Sequence, residues 1–485
     1  MMKAVRRRWI TPSSCRIHCK ALSSYLFRKD GIGYRPIFDF DYYRKKTDII
    51  RENIKNRCCD ADIDEVVKLH NKFGKICTEI SALRHERNEI SKKIKLQEVK
   101  KGEDDYVKLV DLGKKIKEKM PQLEDTKLHY ENQLFEAASK IPNDTHPDTP
   151  IGDEENATIL STFGDKPVFD LDLKNHIQIG EKLNLFRSAA LQSDPKFCYL
   201  LGDAALLELA IIQYAIQKLT QKGFTTILPP DIVKPRLIEG CGYHPRTEHA
   251  QIYSLDPSHG ELRLAGTSEI PLCGKYKNIH WNIDFISKHF AFLGMFMDSM
   301  LDAKDLPLRY VAVSHCFRAE AARHTSEERG LYRLHQFTKV EMFGITTNEG
   351  HNESDALFNE FVEIQKDLYS NLGLHARILD MPTAELSSSA YRKFDIEAWM
   401  PGRNNYGEIS SASNCTDYQS RRLNIQYKGS KAKHRGRQFV HTVNATACAI
   451  PRLIISILEN FQQQDGSIKI PEVLRPFMNN KSTIS

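Results

Sequence analysis

Long apolar runs are missing from this chain. The most hydrophobic stretch, 204–216, is interrupted by Glu208 and Gln213. A membrane-spanning helix needs roughly 20 apolar residues, so none is expected. Paired cysteines are missing too: the 11 cysteines are scattered and none stands in a CxxC pair. Neither a zinc site nor a disulfide framework is indicated, and reduced buried thiols suit a reducing compartment. No GxxxxGK[ST] loop occurs, and no GxGxxG follows a strand-like run. A nucleotide, if handled at all, is held without a P-loop or a dinucleotide fold.

Acidic residues are absent from positions 1–29, which carry eight basic ones amid Ser, Arg and scattered apolar residues. That composition predicts a mitochondrial transit peptide, with residues 1–35 as leader and the matrix as destination. The alternatives are a disordered basic tail or a nucleic-acid arm. Without the leader the formal net charge of +6 falls to about −2, so any affinity for nucleic acid must come from local patches.

Beyond the leader, Val66, Leu69, Phe73, Ile76, Ile80 and Leu83 recur at alternating steps of 3 and 4, and Ile90 and Ile94 continue the heptad seam. After a polar break at 100–105, Leu109, Leu112, Ile116, Leu123 and Tyr130 form a weaker second seam. Two helices around a short turn predict an antiparallel hairpin, kinked at Pro121. Between 66 and 101 there are ten basic and four acidic residues. Such an excess is either a solvated face or a clamp for a phosphate backbone. The Pro-rich segment 141–152 reads as a linker. The helical domain is thus 36–140, and a mixed domain follows over 153–475, with a tail at 476–485.

In that mixed domain, FRAEAARHTSEERGLYRLHQFTKVE (317–341) reads as two strands around a loop ending at Gly330. Arg318, Glu320, Arg333, Lys339 and Glu341 set charges on one sheet face. Three more stretches share this character: LAGTSEIPL with Thr267 and Glu269, GEISSASNCTDYQSRR with Glu408, Ser410, Ser411 and Asn414, and HTVNATACAIPRLIISILEN with Asn444, Thr446 and Arg452. Taken singly, each is more often a surface ion-pair ladder. Together, arginines suit phosphate through forked hydrogen bonds, and the Glu408 carboxylate with the Ser411 hydroxyl offers hard oxygen ligands for Mg2+.

From about 36 to 475 the chain resembles the seryl-tRNA synthetases, class II aminoacyl-tRNA synthetases, of the mitochondrial kind. GFTTILPPDIV resembles the family's first, dimer-forming motif. FRAE…RGLYRLHQFTKVE resembles the second, EISSASNCTDYQSRR the ATP-site strand, and NATACAIPRLIISILE the third. The resemblance implies an α+β protein: an antiparallel coiled-coil arm, then a catalytic domain with an antiparallel sheet flanked by helices. It implies a homodimer that binds ATP, L-serine and tRNA(Ser), uses Mg2+, and has no membrane contact.

It also implies site residues. Arg318 bridges the α-phosphate and the serine carboxylate, and Arg452 covers adenine and reaches the γ-phosphate; these two are the catalytic pair. Ala319, Glu320, Arg333, Leu334, Phe337, Glu408, Ile409, Ser410 and Ser411 complete the ATP site, with Phe337 stacking on adenine and Glu408 and Ser411 holding the metal. Thr267, Ser268 and Glu269 receive the serine ammonium, and Glu341 and Thr446 its hydroxyl. Where the third motif usually reads Gly-x-Gly-Arg, Ala449, Ile450 and Pro451 precede Arg452, as in the mitochondrial branch. The loop AARHTSEERG departs from the family and bears on contacts with the tRNA acceptor end. The alternative function is an inactive, synthetase-derived mitochondrial paralogue that binds RNA.

Overall fold

The computed structural model describes residues 36–96, 104–170, 172–243, 252–256, 258, 261–272, 296–320, 330–429 and 436–485. The expected leader at 1–35, the hairpin tip and most of the loop after Glu320 lie outside the described residues.

The arm consists of helices α1 (Ile63–Lys95) and α2 (Asp104–Ser139). Asp62 starts α1 by accepting hydrogen bonds from the Asp64 and Glu65 amides, which satisfies donors that the first turn leaves unpaired. The first seam is buried as its spacing demands. Val66 and Leu69 pack at the base with Leu134 and Ala138, and Ile80 and Ile90 pack further out with Ile116 and Met120. The second seam is covered in part as expected: Ile116 is buried, and Leu109, Leu123 and Tyr130 pack partly buried against the arm's clusters. Leu112 is exposed, and Met120, Leu134 and Ala138 extend the buried stripe. Pro121 does not end α2, which continues to Ser139. Its ring removes a single donor from the helical ladder, and neighbouring turns outweigh that loss.

The arm is tied to the rest through the linker. Buried Arg57 donates to the carbonyls of Asn143 (2.9 Å), Ala390 (3.1 Å) and Ser387. The Asn143 amide donates to the carbonyls of Ser389 and Cys415, both at 2.9 Å.

The second domain is built on an eight-stranded sheet. In chain order its strands are β1 (Thr158–Phe163), β2 (Thr225–Ile227), β3 (Leu308–Phe317), β4 (Gln336–Thr346), β5 (Ala376–Asp380), β6 (Arg392–Met400), β7 (Asn405–Thr416) and β8 (His441–Ala449). They lie in the order β1-β5-β6-β7-β8-β4-β3-β2, antiparallel throughout except for β2 against β3. Helices α3 (Asp203–Gln221), α4 (Glu353–Asn371) and α5 (Ile450–Asn460) cover one face. Val340, Met342, Phe394, Ile396 and Ala412 meet them in one continuous core. Because side chains alternate along a strand, Lys339, Glu341 and Asp395 are turned to the other face.

Two sequence expectations are corrected. The sequence pattern predicts a strand over 436–444 and an apolar helix over 446–461, but the third-motif strand runs to Ala449, and α5 begins only at Ile450. Pro451 suits that first turn, where its missing N–H costs nothing. In the second motif, Arg318, Glu320 and Arg333 lie beyond the strand ends, and only Lys339 and Glu341 are strand residues.

Candidate active site

Two β-bulges shape the cleft. On β7, Glu408 pairs with Glu397 and Ser410 with Ile396, so Ile409 is an extra residue. In a regular strand, Glu408 and Ser411 would face opposite ways; the inserted residue returns both to the cleft face. On β8, Thr446 pairs with Glu341 and Cys448 with Val340, so Ala447 is the extra residue. The bulged backbone is held from the helix side. The Thr446 carbonyl accepts from Gln365 Nε2 (2.9 Å), Ser410 Oγ (2.6 Å) and Tyr369 OH (3.3 Å). Ser410, expected at the nucleotide, therefore commits its hydroxyl to this anchor. Asn414 likewise donates to Asp355 (2.8 Å) and Ser354 on α4.

Over the bulges lies a cleft. Arg318, Glu320, Arg333, Leu334, Phe337, Glu408, Ile409, Ser410, Ser411, Thr446 and Arg452 line it, with Leu331, Tyr332, Lys339, Ala449 and Pro451. Of the expected nucleotide residues, only Ala319 is not among its lining. Gly330 marks the return of the second-motif loop. Its φ of 72° is left-handed, and a Cβ there would stand 2.3 Å from the His176 ring, so no larger residue fits.

Two ion pairs lie in the cleft. Glu320 meets Arg333 at 3.1 Å, and Arg452 Nη1 meets Glu408 Oε2 at 2.9 Å. Arg452 also lies 4.7 Å from the Tyr332 ring centre, and Arg318 lies 5.4 Å from that of Phe337. Burial pushes the Glu408 carboxyl up, but Arg452, helped by Lys393 and Arg318, outweighs it and holds Glu408 well below the usual range. Beside it, burial raises Asp395 despite its partner Lys393 at 2.7 Å.

At the floor, the Thr446 hydroxyl donates to Glu341 Oε2 at 3.1 Å. Lys339 Nζ reaches the same oxygen at 2.6 Å and donates to Thr267 Oγ1 at 2.8 Å. Thus Lys339 links the two groups assigned to opposite ends of serine. Thr267 and Ser268 lie just before the short helix Glu269–Leu272, and both are buried. Burial, reinforced by the nearby Glu341 charge, pushes Glu269 up to about 7, while Lys339, Tyr243 and Arg318 act against it.

Lys339, Tyr332 and Tyr243 were not among the site residues read from sequence. Lys339 had a signal, since it alternates with Glu341 in TKVE. Tyr243 had none, because its place beside Glu269 comes from chain packing.

Glu408 and Ser411 provide two hard oxygens on one face, which fits a Mg2+ ion completing its shell with phosphate and water. No cluster of three His, Cys, Asp or Glu residues suited to a metal occurs among the described residues.

Comparisons with known proteins place the chain among relatives of similar sequence and fold. Residues 37–145 match the model of the seryl-tRNA synthetase N-terminal domain, and residues 288–461 match that of the class II core domain of tRNA synthetases (G, H, P, S and T). The chain is 40% identical over 427 residues to the mitochondrial serine–tRNA ligase of Mus musculus, covering 86% of this chain and 78% of that protein. It is 40% identical over 447 residues to the serine–tRNA ligase of Treponema denticola, covering 91% and 98%. Among solved structures, the seryl-tRNA synthetase of Pyrococcus horikoshii complexed with ATP superposes with a TM-score of 0.79 at 31% identity, covering 92% of this chain and 99% of that one.

Proposed function

The chain belongs to the seryl-tRNA synthetase family, and from that membership we infer that it is a serine–tRNA ligase, activating serine with ATP and transferring it to tRNA(Ser). In the first step a serine carboxylate oxygen bonds to the α-phosphorus, the bond to the β-phosphate bridge breaks, and pyrophosphate leaves. In the second, a hydroxyl of the terminal ribose of tRNA attacks the acyl carbon and AMP leaves. The substrate carboxylate is itself the nucleophile, so the protein's task is positioning and charge stabilisation.

Arg318, at the mouth of the cleft between the Thr267 loop and Phe337, bridges the two anions that must meet. Its guanidinium offsets the charge that builds at the α-phosphate. Phosphates compete with Glu408 for Arg452, whose flat cation also covers adenine opposite Phe337. Glu408 and Ser411 would hold a Mg2+ ion, which would supply further positive charge to the phosphates. Glu269 and Thr267 receive the ammonium, and Glu341 with Thr446 receives the hydroxyl.

One observation carries the choice of serine: the buried carboxylate of Glu341, with Thr446 and Lys339 on one oxygen, these two partners lining the arginine-lined cleft. An amino acid without a hydroxyl leaves this polar floor unmatched, which costs about 10⁴-fold in sites of this design. The inactive alternative has no support here, because Arg318, Glu320, Glu341, Glu408, Ser411 and Arg452 stand in or beside the cleft.

The basic arm between 66 and 101 grips the tRNA backbone, and a second copy pairs through the first motif. The mitochondrial relatives and the acid-free leader support import to the matrix. Serine-dependent exchange of labelled pyrophosphate into ATP tests the central reading; no exchange with serine, or equal exchange with alanine, overturns it. A reporter fused to residues 1–35 that stays in the cytosol overturns the targeting.

A further inference from the structure

Asp395 has no part in the site described so far, yet its placement is unusual. It is 5% exposed, and Lys393 holds its Oδ2 at 2.7 Å while Oδ1 has no hydrogen-bond partner among the described residues. A buried acceptor without a donor is costly and calls for a reason. Phe394 and Ile396 on either side join the core beneath the sheet, so Asp395 is turned to the cleft face. Directly opposite it in the β6–β7 ladder stands Ser411. Directly opposed partners share a face, with Cβ atoms about 4.5–5.5 Å apart. Ser411 gives its carbonyl to Gln365, while its hydroxyl is uncommitted among the described residues.

A hydroxyl has one proton and two lone pairs. If it ligates a cation through a lone pair, the proton must point elsewhere, or it opposes the cation's charge. We propose that Asp395 is a positioning residue for the divalent cation: its free oxygen accepts the hydrogen bond of the Ser411 hydroxyl and so aims the lone pairs of Ser411 into the cleft. Lys393 pins the other oxygen and keeps the carboxylate oriented. This inference rests on the reading of Ser411 as a metal ligand.

The test is a double-mutant cycle on the full chain. Mn2+ serves as probe and is titrated by electron paramagnetic resonance in the presence of α,β-methylene ATP without serine. In Asp395→Asn, Lys393 claims the amide oxygen and the NH2 group faces Ser411, whose hydroxyl must then accept. Mn2+ affinity falls by about 10- to 100-fold, the usual cost of losing such a support. In a Ser411→Ala background the same substitution has no further effect, since the group it acts through is gone. Asp395→Glu keeps the charge and displaces the acceptor; it weakens Mn2+ in the same way and serves if Asp395→Asn does not fold. Mn2+ affinity unchanged by Ser411→Ala overturns the metal-ligand reading. A normal response to Ser411→Ala, with Asp395 variants that are silent or that add to it independently, overturns the role of Asp395 alone.

Discussion

In the arm, Arg84 meets Glu124 at 2.9 Å and Lys119 meets Glu79 at 2.7 Å across the two helices, with all four side chains about half exposed. In the cleft, Lys339 meets Glu341 at 2.6 Å with both side chains under 10% exposed, and the largely buried Arg452 meets Glu408 at 2.9 Å. The distances are alike and the consequences are not. Water and salt screen the arm pairs, so each is worth little and its partners are free to exchange for phosphate. The Lys339–Glu341 pair has lost its water, so removing one partner strands a charge, and Arg452–Glu408 is shielded on the arginine side. The arm is therefore a surface that can be re-sorted by a polyanion, and the cleft a fixed template for one small substrate.

The largest break in this contrast is at Glu341. Glu341→Ala removes the acceptor for Thr446 and strands Lys339, so serine-dependent pyrophosphate exchange drops by about 10³-fold or more in kcat/KM for serine, with ATP binding retained. Measuring exchange at varied serine and varied ATP separates the two. An unchanged serine dependence makes Glu341 one more structural charge. Arg318→Ala comes next, losing about 10²–10³-fold in exchange at saturating substrates, because the proposed function has it bridge both anions.

Removing charges from the last turn of α1 sharpens the other side. Replacing Lys92, Lys93 and Lys95 by Gln leaves exchange intact and weakens tRNA binding. The slope of log affinity against log salt becomes shallower by about 0.9 for each phosphate that is no longer neutralised. Equal damage to adenylate formation and tRNA charging means that the arm supports the fold instead.

A smaller effect follows from Glu269. Its carboxyl titrates at about 7 against an ordinary 4.5, and only the anion pairs with an ammonium. Serine affinity therefore weakens by about tenfold for each pH unit below 7, while ATP affinity holds; a serine KM that is flat from pH 8 to 6 refutes it. The stability sign is opposite. Between 4.5 and about 7 the folded chain keeps a proton that the unfolded chain has released, so this group's contribution falls as pH rises across that window. Smallest of all, Arg84→Ala changes thermal unfolding by no more than about 1 kcal/mol.

The contrast also explains what could be read beforehand. The first arm seam was legible because a heptad is a one-dimensional pattern, and the cleft residues because four charged stretches shared a recognisable order. What could not be read depends on register. Ile409 and Ala447 look like ordinary strand residues, yet as bulges they decide that Glu408 joins Ser411 and that Thr446 faces Glu341. The alternation reading placed Arg318 and Arg333 inside strands, since it cannot see where pairing stops. Ser410 lines the cleft as its neighbours suggest, but only packing shows that its hydroxyl is committed to Gln365 and the Thr446 carbonyl. In α2, Leu112 satisfied the spacing but faces solvent, because the partner helix fixes which stripe is covered.

The joint between arm and cleft bears on how such a chain can change over generations. Arg57 and the Asn143 amide bind five main-chain carbonyls, of Asn143, Ala390, Ser387, Ser389 and Cys415. Every amino acid supplies a carbonyl, so the residues receiving these bonds can be exchanged without loosening the joint, while Arg57 and Asn143 cannot. Mutational tolerance at this seam is accordingly lopsided: the socket drifts, and the plug stays.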